Sequence, residues 1–457
     1  MVALIVIFIS GLLSLFLAFA KKPWLVLLTA SAGLIAGGIS LFTQYYYQYD
    51  FIHYEGLKFD GFAVAFGLIA ILFTLLIVLT GYSSFKDKPQ HTGDYIALLL
   101  FSLTGALSML AFTDMFMFFL GLEILSIPIY VMAGSNKDDI RSSEASLKYF
   151  MTGAFATGVL LFGIAWVYGG TASFKLDEIA AFINNTEGTH SSMIYVGLLM
   201  ILSAFLFKVG AAPFHFWSPD VYDGSPHIVT GFMAAVVKLG AFGAFMKIFS
   251  ITFGGLHDFW APALSVLAIL TMFVGNLSAL KQIRFKRLLA YSSITHVGYA
   301  LLTIIVQSPD SAFNLWAYIF SYGFSTIGLI TVAIIIHDEE DRIEAFRGLV
   351  RRNPFTGFVA ILGFLSLAGV PPLMGFFGKF LVFSEAITQY PWLVAIAIIN
   401  SGIGIFYYLR MVILVLQKED EDKPKTPKHK VPALQMIVLV ICALALLFGG
   451  NMLIFYK

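Results

Sequence analysis

Phe207-Lys208-Val-Gly210-Ala-Ala-Pro213-Phe-His215 breaks one apolar run of this chain, and Ala368-Gly369-Val-Pro371-Pro372, with Lys379 beyond it, breaks another. Proline removes a helix hydrogen bond and its ring clashes with the preceding turn, so both runs read as interrupted helices. Backbone groups freed at membrane depth are tolerated only where protein or a water-filled cavity satisfies them. Each break carries a lysine: Lys208 precedes Pro213 by five residues and Lys379 follows Pro372 by seven. This mirror placement is consistent with inverted repeats, in which paired broken helices mark a transport site.

The environment around the breaks is lipid. Of 457 residues 59% are hydrophobic and 12% charged, far below the roughly 25% charged of a soluble domain. Apolar runs recur that are long enough to cross a hydrocarbon core about 30 Å thick. Fourteen are expected: Ala3 to Ala20, Trp24 to Phe42, Gly61 to Gly81, Tyr95 to Phe112, Met115 to Ala133, Ser146 to Tyr168, Met193 to Ala212, Val229 to Ile248, Ala261 to Leu277, Leu288 to Val306, Phe313 to Ile336, Gly357 to Ile387, Trp392 to Leu416 and Val431 to Ile454. The first run lacks a charged leader and is followed at once by another, so it reads as a retained span rather than a cleaved signal.

Lysine and arginine divide unequally between alternate loops, as the positive-inside rule requires. One side holds Lys21, Lys22, Lys86, Lys88, Lys137, Arg141, Lys148, Lys281, Arg284, Lys286, Arg287, Arg342, Arg347, Arg351, Arg352, Lys418, Lys423, Lys425, Lys428 and Lys430. The other holds Lys58, Lys175, Lys247 and Lys457. Both termini are therefore expected outside, with the loop from Gln417 to Lys430 in the cytoplasm. Lys208, Lys238, Lys379 and Arg410 are left within spans. A lysine at the bilayer centre costs about 2.5 to 3.5 kcal/mol, so several together suggest a path for protons or ions.

The single cysteine, Cys442, lies in the last span and supports neither a disulfide framework nor an iron–sulfur cluster. No glycine-rich nucleotide loop, catalytic triad or cluster of metal ligands is found. Any redox chemistry belongs to a partner.

Five longer strings are shared with a known family: Phe119-Leu-Gly-Leu-Glu123-Ile-Leu-Ser-Ile-Pro128, Ser143-Glu-Ala-Ser-Leu-Lys148, Phe207-Lys208 through Trp217-Ser-Pro-Asp220 to Pro226, Lys286-Arg-Leu-Leu-Ala-Tyr291-Ser-Ser-Ile-Thr-His296-Val-Gly-Tyr299, and Ser366 through Lys379. In them the chain resembles the subunit N family of respiratory complex I, NADH-quinone oxidoreductase, from about Leu110 to about Tyr408. The resemblance implies an all-α polytopic membrane protein with about fourteen transmembrane helices and two inverted five-helix repeats, helices 7 and 12 being discontinuous. The organisation expected is a single membrane domain, 1–457: three N-terminal helices (3–92), a first repeat (93–250), a second repeat (258–417) and helix 14 (431–454).

Carried over position by position, the resemblance makes Glu123 the helix-five glutamate, Lys208 the helix-seven lysine, Lys238 the central helix-eight lysine and Lys379 the helix-twelve lysine. A lysine at 379 suits subunits N and L better than M, and the chain stops soon after helix 14, without the lateral extension of L. The implied role is proton translocation coupled to quinone reduction, in the inner (plasma) membrane. No cofactor is expected in this chain; NAD, FMN, iron–sulfur clusters and quinone belong to partner subunits. The expected partners are other antiporter-like and small membrane subunits, the redox arm indirectly, protons and the lipid bilayer, with no nucleic acid.

The residue types suit that role. Desolvation disfavours an ammonium and a nearby carboxylate favours it, so moving one charge toggles the proton affinity of the other. In this scheme Glu123 and Lys208 pair, Lys238 relays, Lys379 is the exit-side switch, and His296 with waters bridges the gaps, because imidazole both accepts and donates near neutral pH. Blander readings stand beside it. His296 hydrogen-bonds a neighbouring helix, Arg410 snorkels or pairs near a helix end, and His215 and His227 serve the broken helix as caps or loop packing. Asp114 and Glu385 sit at span ends, and Glu144 with Lys148 forms a surface ion pair at i,i+4. Tyr45 to Tyr49 with His53 and Tyr54 anchors at headgroup depth, and 174–182 forms a short amphipathic surface helix. Two other function classes remain open: a multisubunit sodium/proton antiporter, whose large subunits share the fold, and a structural spacer.

Overall fold

The computed structural model describes residues 1–47, 54–85, 89–185, 190–418 and 430–455. Lys86, Lys88, Lys423, Lys425, Lys428 and Lys457 of the charge pattern, and Gln48, Tyr49 and His53 of the aromatic stretch, lie outside the described residues.

The chain begins with α1 (Val2–Leu17), α2 (Pro23–Tyr47), α3 (Gly61–Phe85), α4 (Pro89–Ala111), α5 (Met115–Ala133) and α6 (Ile140–Thr171). The short α7 (Leu176–Asn185) buries Leu176, Ile179 and Ile183, one face of a helix, as expected for an amphipathic segment. The halves of the first broken span are α8 (Ser192–Val209) and α9 (Ser218–Gly224). A continuous helix follows, made of α10 (His227–Phe232), a π turn (Met233–Val237), α11 (Lys238–Lys247) and a second π turn (Ile248–Thr252). Then come α12 (His257–Ala279), α13 (Phe285–Val306), α14 (Ser311–Ile336) and the single turn α15 (Leu349–Arg352). The second broken span is α16 (Pro354–Ala368) and α17 (Met374–Ala386), before α18 (Pro391–Leu416) and α19 (Ala433–Phe455).

Among the described residues 13 helices are long and apolar enough to cross a membrane. The other expected span is split into α16, of 15 residues, and α17, of 13, each short of the roughly 20 needed to cross alone. The all-α polytopic class is therefore borne out. Helical backbone satisfies its own hydrogen bonds, the condition for contact with lipid, and Phe155, Phe162, Ile399 and Phe406 project outward as exposed apolar side chains. Helix starts take polar caps: Asp114 accepts from Met117 N at 2.8 Å and Asp139 from Arg141 N at 3.0 Å.

One expectation is corrected. Lys247 does not lie in a loop; it sits within the helix His227–Thr252, buried at 8% exposure. The π turn Ile248–Thr252 carries this helix past Ile248, where the apolar run ends.

The chain forms two compact units, Met1–Val78 with Ser84–Leu267, and Leu79–Ser83 with Ala268–Lys457. In the first, α6 and α8 meet at paired glycines: a Cβ on Gly163 would lie 3.0 Å from the Gly197 carbonyl oxygen, and one on Gly197 would lie 2.7 Å from that of Gly163. Small residues let apolar helices approach this closely. In the second unit the α3 segment Leu79–Ser83 is held by Thr80, whose hydroxyl is 3.0 Å from that of Thr331 and whose carbonyl accepts from Gln435 Nε2 at 3.1 Å.

Gly197→Val forces side-chain carbons onto backbone atoms of α6 and is expected to destabilise the protein by about 3 kcal/mol, the upper end of overpacking. Gly158→Ala, where nothing lies within 4 Å of the added carbon, is expected to be neutral. Thermal unfolding of the solubilised protein checks both, and an unshifted Gly197→Val midpoint contradicts the α6–α8 contact.

Candidate functional site

The two breaks are built alike. α8 ends at Gly210 with φ +78° and α16 at Gly369 with φ +84°, the left-handed region that glycine enters without a Cβ penalty. The turn amides reach back in each: Ala211 N donates to Leu206 O at 2.8 Å, and Val370 N to Leu365 O at 3.0 Å. Ala212–Pro213 and Pro371–Pro372 are cis.

In the first unit Lys208 is the next-to-last residue of α8, 4% exposed. A cation is favoured there because unpaired carbonyls make a helix C-terminus negative. Its ammonium donates to the Ser126 hydroxyl of α5 and faces the rings of Tyr130 and Tyr149 at 5.8 and 5.9 Å, within cation–π range. Trp217 Nε1 takes the neighbouring Phe207 carbonyl at 3.1 Å. Glu123, half-buried on α5, accepts from Thr157 Oγ1 at 2.8 Å. Among the described residues it makes no direct ion pair with Lys208. A cavity of about 10 Å³ beside Lys208 is lined by Leu122, Thr157, Phe207 and Lys208, room for about one water. Thr157, the hydrogen-bond partner of Glu123, and Lys208 thus line one water-sized space.

Lys238 opens α11 immediately after the π turn Met233–Val237, in a helix whose apolar stretch is wholly buried, and is itself 6% exposed. π turns inside helices are frequent at functional sites. Beyond the first break, Lys148 on α6 pairs with Glu144 at 2.6 Å, as its spacing suggests, and also with Asp220 of α9 at 2.7 Å. That second contact ties the far half-helix to α6.

The second unit holds Lys379 and His296. Lys379, 6% exposed, reaches back from α17 to the open end of α16. Its ammonium donates to Leu367 O at 2.8 Å, Ala368 O at 3.0 Å and Ser401 Oγ at 3.2 Å. Two carbonyls left free by the broken helix are satisfied in this way. A Cβ on Gly369 would meet Lys379 Cδ at 3.0 Å, so space and backbone angle both demand glycine. His296 bonds two neighbouring helices, with Nδ1 2.6 Å from Tyr318 OH and Nε2 3.1 Å from Tyr408 OH. A second cavity of about 10 Å³, lined by His296, Tyr318, Ser325, Ser366, Leu367 and Gly375, lies between the imidazole and the break. Beyond Ser401 the polar chain continues, with Asn276 Nδ2 donating to Asn400 O at 2.7 Å and Tyr407 OH to Asn276 Oδ1 at 3.0 Å.

Ser126, Thr157, Asp220, Asn276, Asn400, Ser401, Tyr318 and Tyr408 were not among the residues that sequence reasoning selected. Asn276 and Asn400 are polar side chains inside apolar spans, a usable signal; the hydroxyls have none. Glu385, expected at a solvated edge, instead accepts from the hydroxyls of Ser308 and Ser311 and from Asn314 Nδ2 at 2.6 Å. Arg410 Nη1 lies 3.5 Å from the Gln282 carbonyl, a structural contact. Among the described residues no three His, Cys, Asp or Glu side chains gather as a metal site.

Residues 113–404 match the family model described as NADH:quinone oxidoreductase/Mrp antiporter, TM. A protein named NADH-quinone oxidoreductase subunit N from Cytophaga hutchinsonii is 37% identical, with 98% of this chain and 97% of the relative covered. A chain of respiratory complex I from Thermus thermophilus superposes with a TM-score of 0.84 at 31% identity, covering 98% of this chain and 96% of that one. A chain of the Mrp complex from a Dietzia species has the same fold, with a TM-score of 0.84 at 19% identity and coverage of 99% and 95%. The match spans both breaks and all the intramembrane lysines, and the chain belongs to the subunit N group of the NADH:quinone oxidoreductase/Mrp antiporter family.

Proposed function

We propose that this chain is the non-redox, proton-carrying subunit N of a proton-translocating NADH-quinone oxidoreductase. Electrons pass from NADH through FMN and iron–sulfur clusters to quinone in partner subunits, and this chain moves protons in response. The observation that carries the reading is how two ammonium groups are solvated. Lys208 is held by a hydroxyl and Lys379 by two carbonyls and a hydroxyl, and among the described residues no carboxylate is bonded to either. Loss of a proton from such a group strands no buried carboxylate, whereas breaking a buried ion pair costs about 3 to 5 kcal/mol. Glu123, bonded to Thr157 at the cavity beside Lys208, sets the field there, so a change in its charge shifts the balance at Lys208. Lys238 relays, and His296, between Tyr318 and Tyr408, passes protons toward Lys379. Each proton moved against 100 mV requires about 2.3 kcal/mol, supplied by quinone reduction in partner subunits.

The two broken spans fit inverted repeats over 93–250 and 258–417 within one membrane domain. The neighbours are other antiporter-like and small membrane subunits, in the plasma membrane, with both termini on the positive outer side. The cation/proton antiporter reading is weaker: the Mrp likeness, at 19% identity, speaks for the fold alone.

Lys208→Met and Lys238→Met are expected to cut proton pumping per electron by about tenfold, roughly 1.4 kcal/mol, in complexes that still assemble. Lys208→Arg is expected to fail as well, because a guanidinium keeps the charge but does not release its proton. Parental pumping by all three variants would sink the relay. Purification of the tagged chain from native membranes is expected to bring flavin and iron–sulfur subunits with quinone reductase activity; small antiporter subunits without redox centres would favour the other reading. In a Cys442→Ser background, Lys430→Cys is expected to react with an impermeant thiol reagent only from the cytoplasmic face, and labelling from outside would reverse the topology.

A further inference from the structure

A cluster of phenylalanines that the relay does not use occupies the first unit beside it. Phe112, Phe118, Phe205, Phe245 and Phe249 are each at most 1% exposed. Phe118 stacks on Phe205 with centroids 5.0 Å apart, and Phe205 on Phe245 at 4.8 Å. Phe112 flanks Phe118 at 5.2 Å, and Phe249 flanks Phe245 at 4.9 Å and meets Trp260 at 5.1 Å. The three central rings come from the three helices that carry the proton-handling residues. Phe118 precedes Glu123 by five residues on α5, Phe205 precedes Lys208 by three on α8, and Phe245 follows Lys238 by seven on α11. At 1.5 Å per residue, each ring lies about 5 to 11 Å along its helix from the charged group.

All three displacements point the same way, because α5 and α8 run toward the end of the unit that bears the first break while α11 runs away from it. On the topology proposed above, the rings stand on the outer side. Beyond them the unit is charged again. Lys247 lies over the Phe112 ring at 5.0 Å, and the charges acting on it are Asp60, Asp177 and Lys58. None of the five phenylalanines lines the water-sized cavity beside Lys208. A proton crosses only along hydrogen-bonded groups or water; phenylalanine side chains have no polar atom, and tightly packed apolar constrictions exclude water.

We propose that Phe118, Phe205 and Phe245, flanked by Phe112 and Phe249, form a dry barrier that closes the Glu123, Lys208 and Lys238 set off from the Lys247 end of the unit. At rest, protons then reach these residues from the opposite side only. The inference rests on the relay reading, but its test is separate because it needs no turnover. The intact complex is reconstituted into liposomes holding a pH-sensitive dye, and passive proton entry is followed under a potassium diffusion potential without electron donor. Phe205→Ser is expected to raise passive entry several-fold while quinone reductase activity stays parental, and Phe205→Leu, which keeps the layer apolar, is expected to leave entry unchanged. If Phe205→Ser does not assemble, Phe245→Ala opens the same layer. Parental entry rates in an assembled polar or cavity variant overturn the barrier and leave the relay standing. Loss of pumping in the lysine variants together with a leak-free phenylalanine variant, or the reverse, tells the two failures apart.

Discussion

A helix that ends inside an apolar environment leaves carbonyl groups without donors, and a lysine buried there lacks acceptors. Each deficit answers the other. In the second unit Lys379 folds back from α17 onto the last carbonyls of α16, so the break and the lysine are one arrangement. In the first, Lys208 sits at the negative end of α8 while Trp217, from beyond the break, takes the adjacent carbonyl. The glycines at 210 and 369 permit the turn, and the prolines keep the helix from running on.

Among the described residues the ammonium groups of Lys208 and Lys379 are bonded to neutral dipoles rather than to carboxylates. A carboxylate in direct contact would hold the proton firmly; hydroxyls and carbonyls stabilise the ammonium without demanding it. Glu123 is near enough to act through its field yet is itself tied to Thr157. In the second unit, where no glutamate plays that part among the bonded neighbours of Lys379, tyrosines and asparagines extend the polar chain from α12 through α13, α14 and α18. The aromatic layer of the first unit is the complement of such a chain, since directed proton movement needs a dry boundary as much as a wet path.

Much of this was legible in the residues. Hydropathy is a property of contiguous sequence, so of the fourteen expected spans thirteen contain a helix long enough to cross, the broken α8–α9 span among them, and the fourteenth is divided between α16 and α17. The breaks were legible because proline and glycine act on the backbone where they stand. Lys247 was counted with a loop although the apolar run Val229 to Ile248 already enclosed it; the structure keeps it inside the helix His227–Thr252, its ammonium over the Phe112 ring. The partnership of Lys148 with Asp220 was likewise invisible beside its obvious i,i+4 neighbour Glu144.

What the sequence by itself determined is the set of spans, the two interruptions and the identity of the charged residues within them, because each follows from the transfer free energy and backbone chemistry of neighbouring residues. What only the tertiary structure decided is what the ammonium groups of Lys208 and Lys379 touch. Ser126 lies 82 residues from Lys208, and Asn276 lies 124 from Asn400. Such pairs meet only when glycine-lined helices pack to backbone contact, and a hydroxyl or amide in the sequence carries no mark of the partner that packing will bring to it.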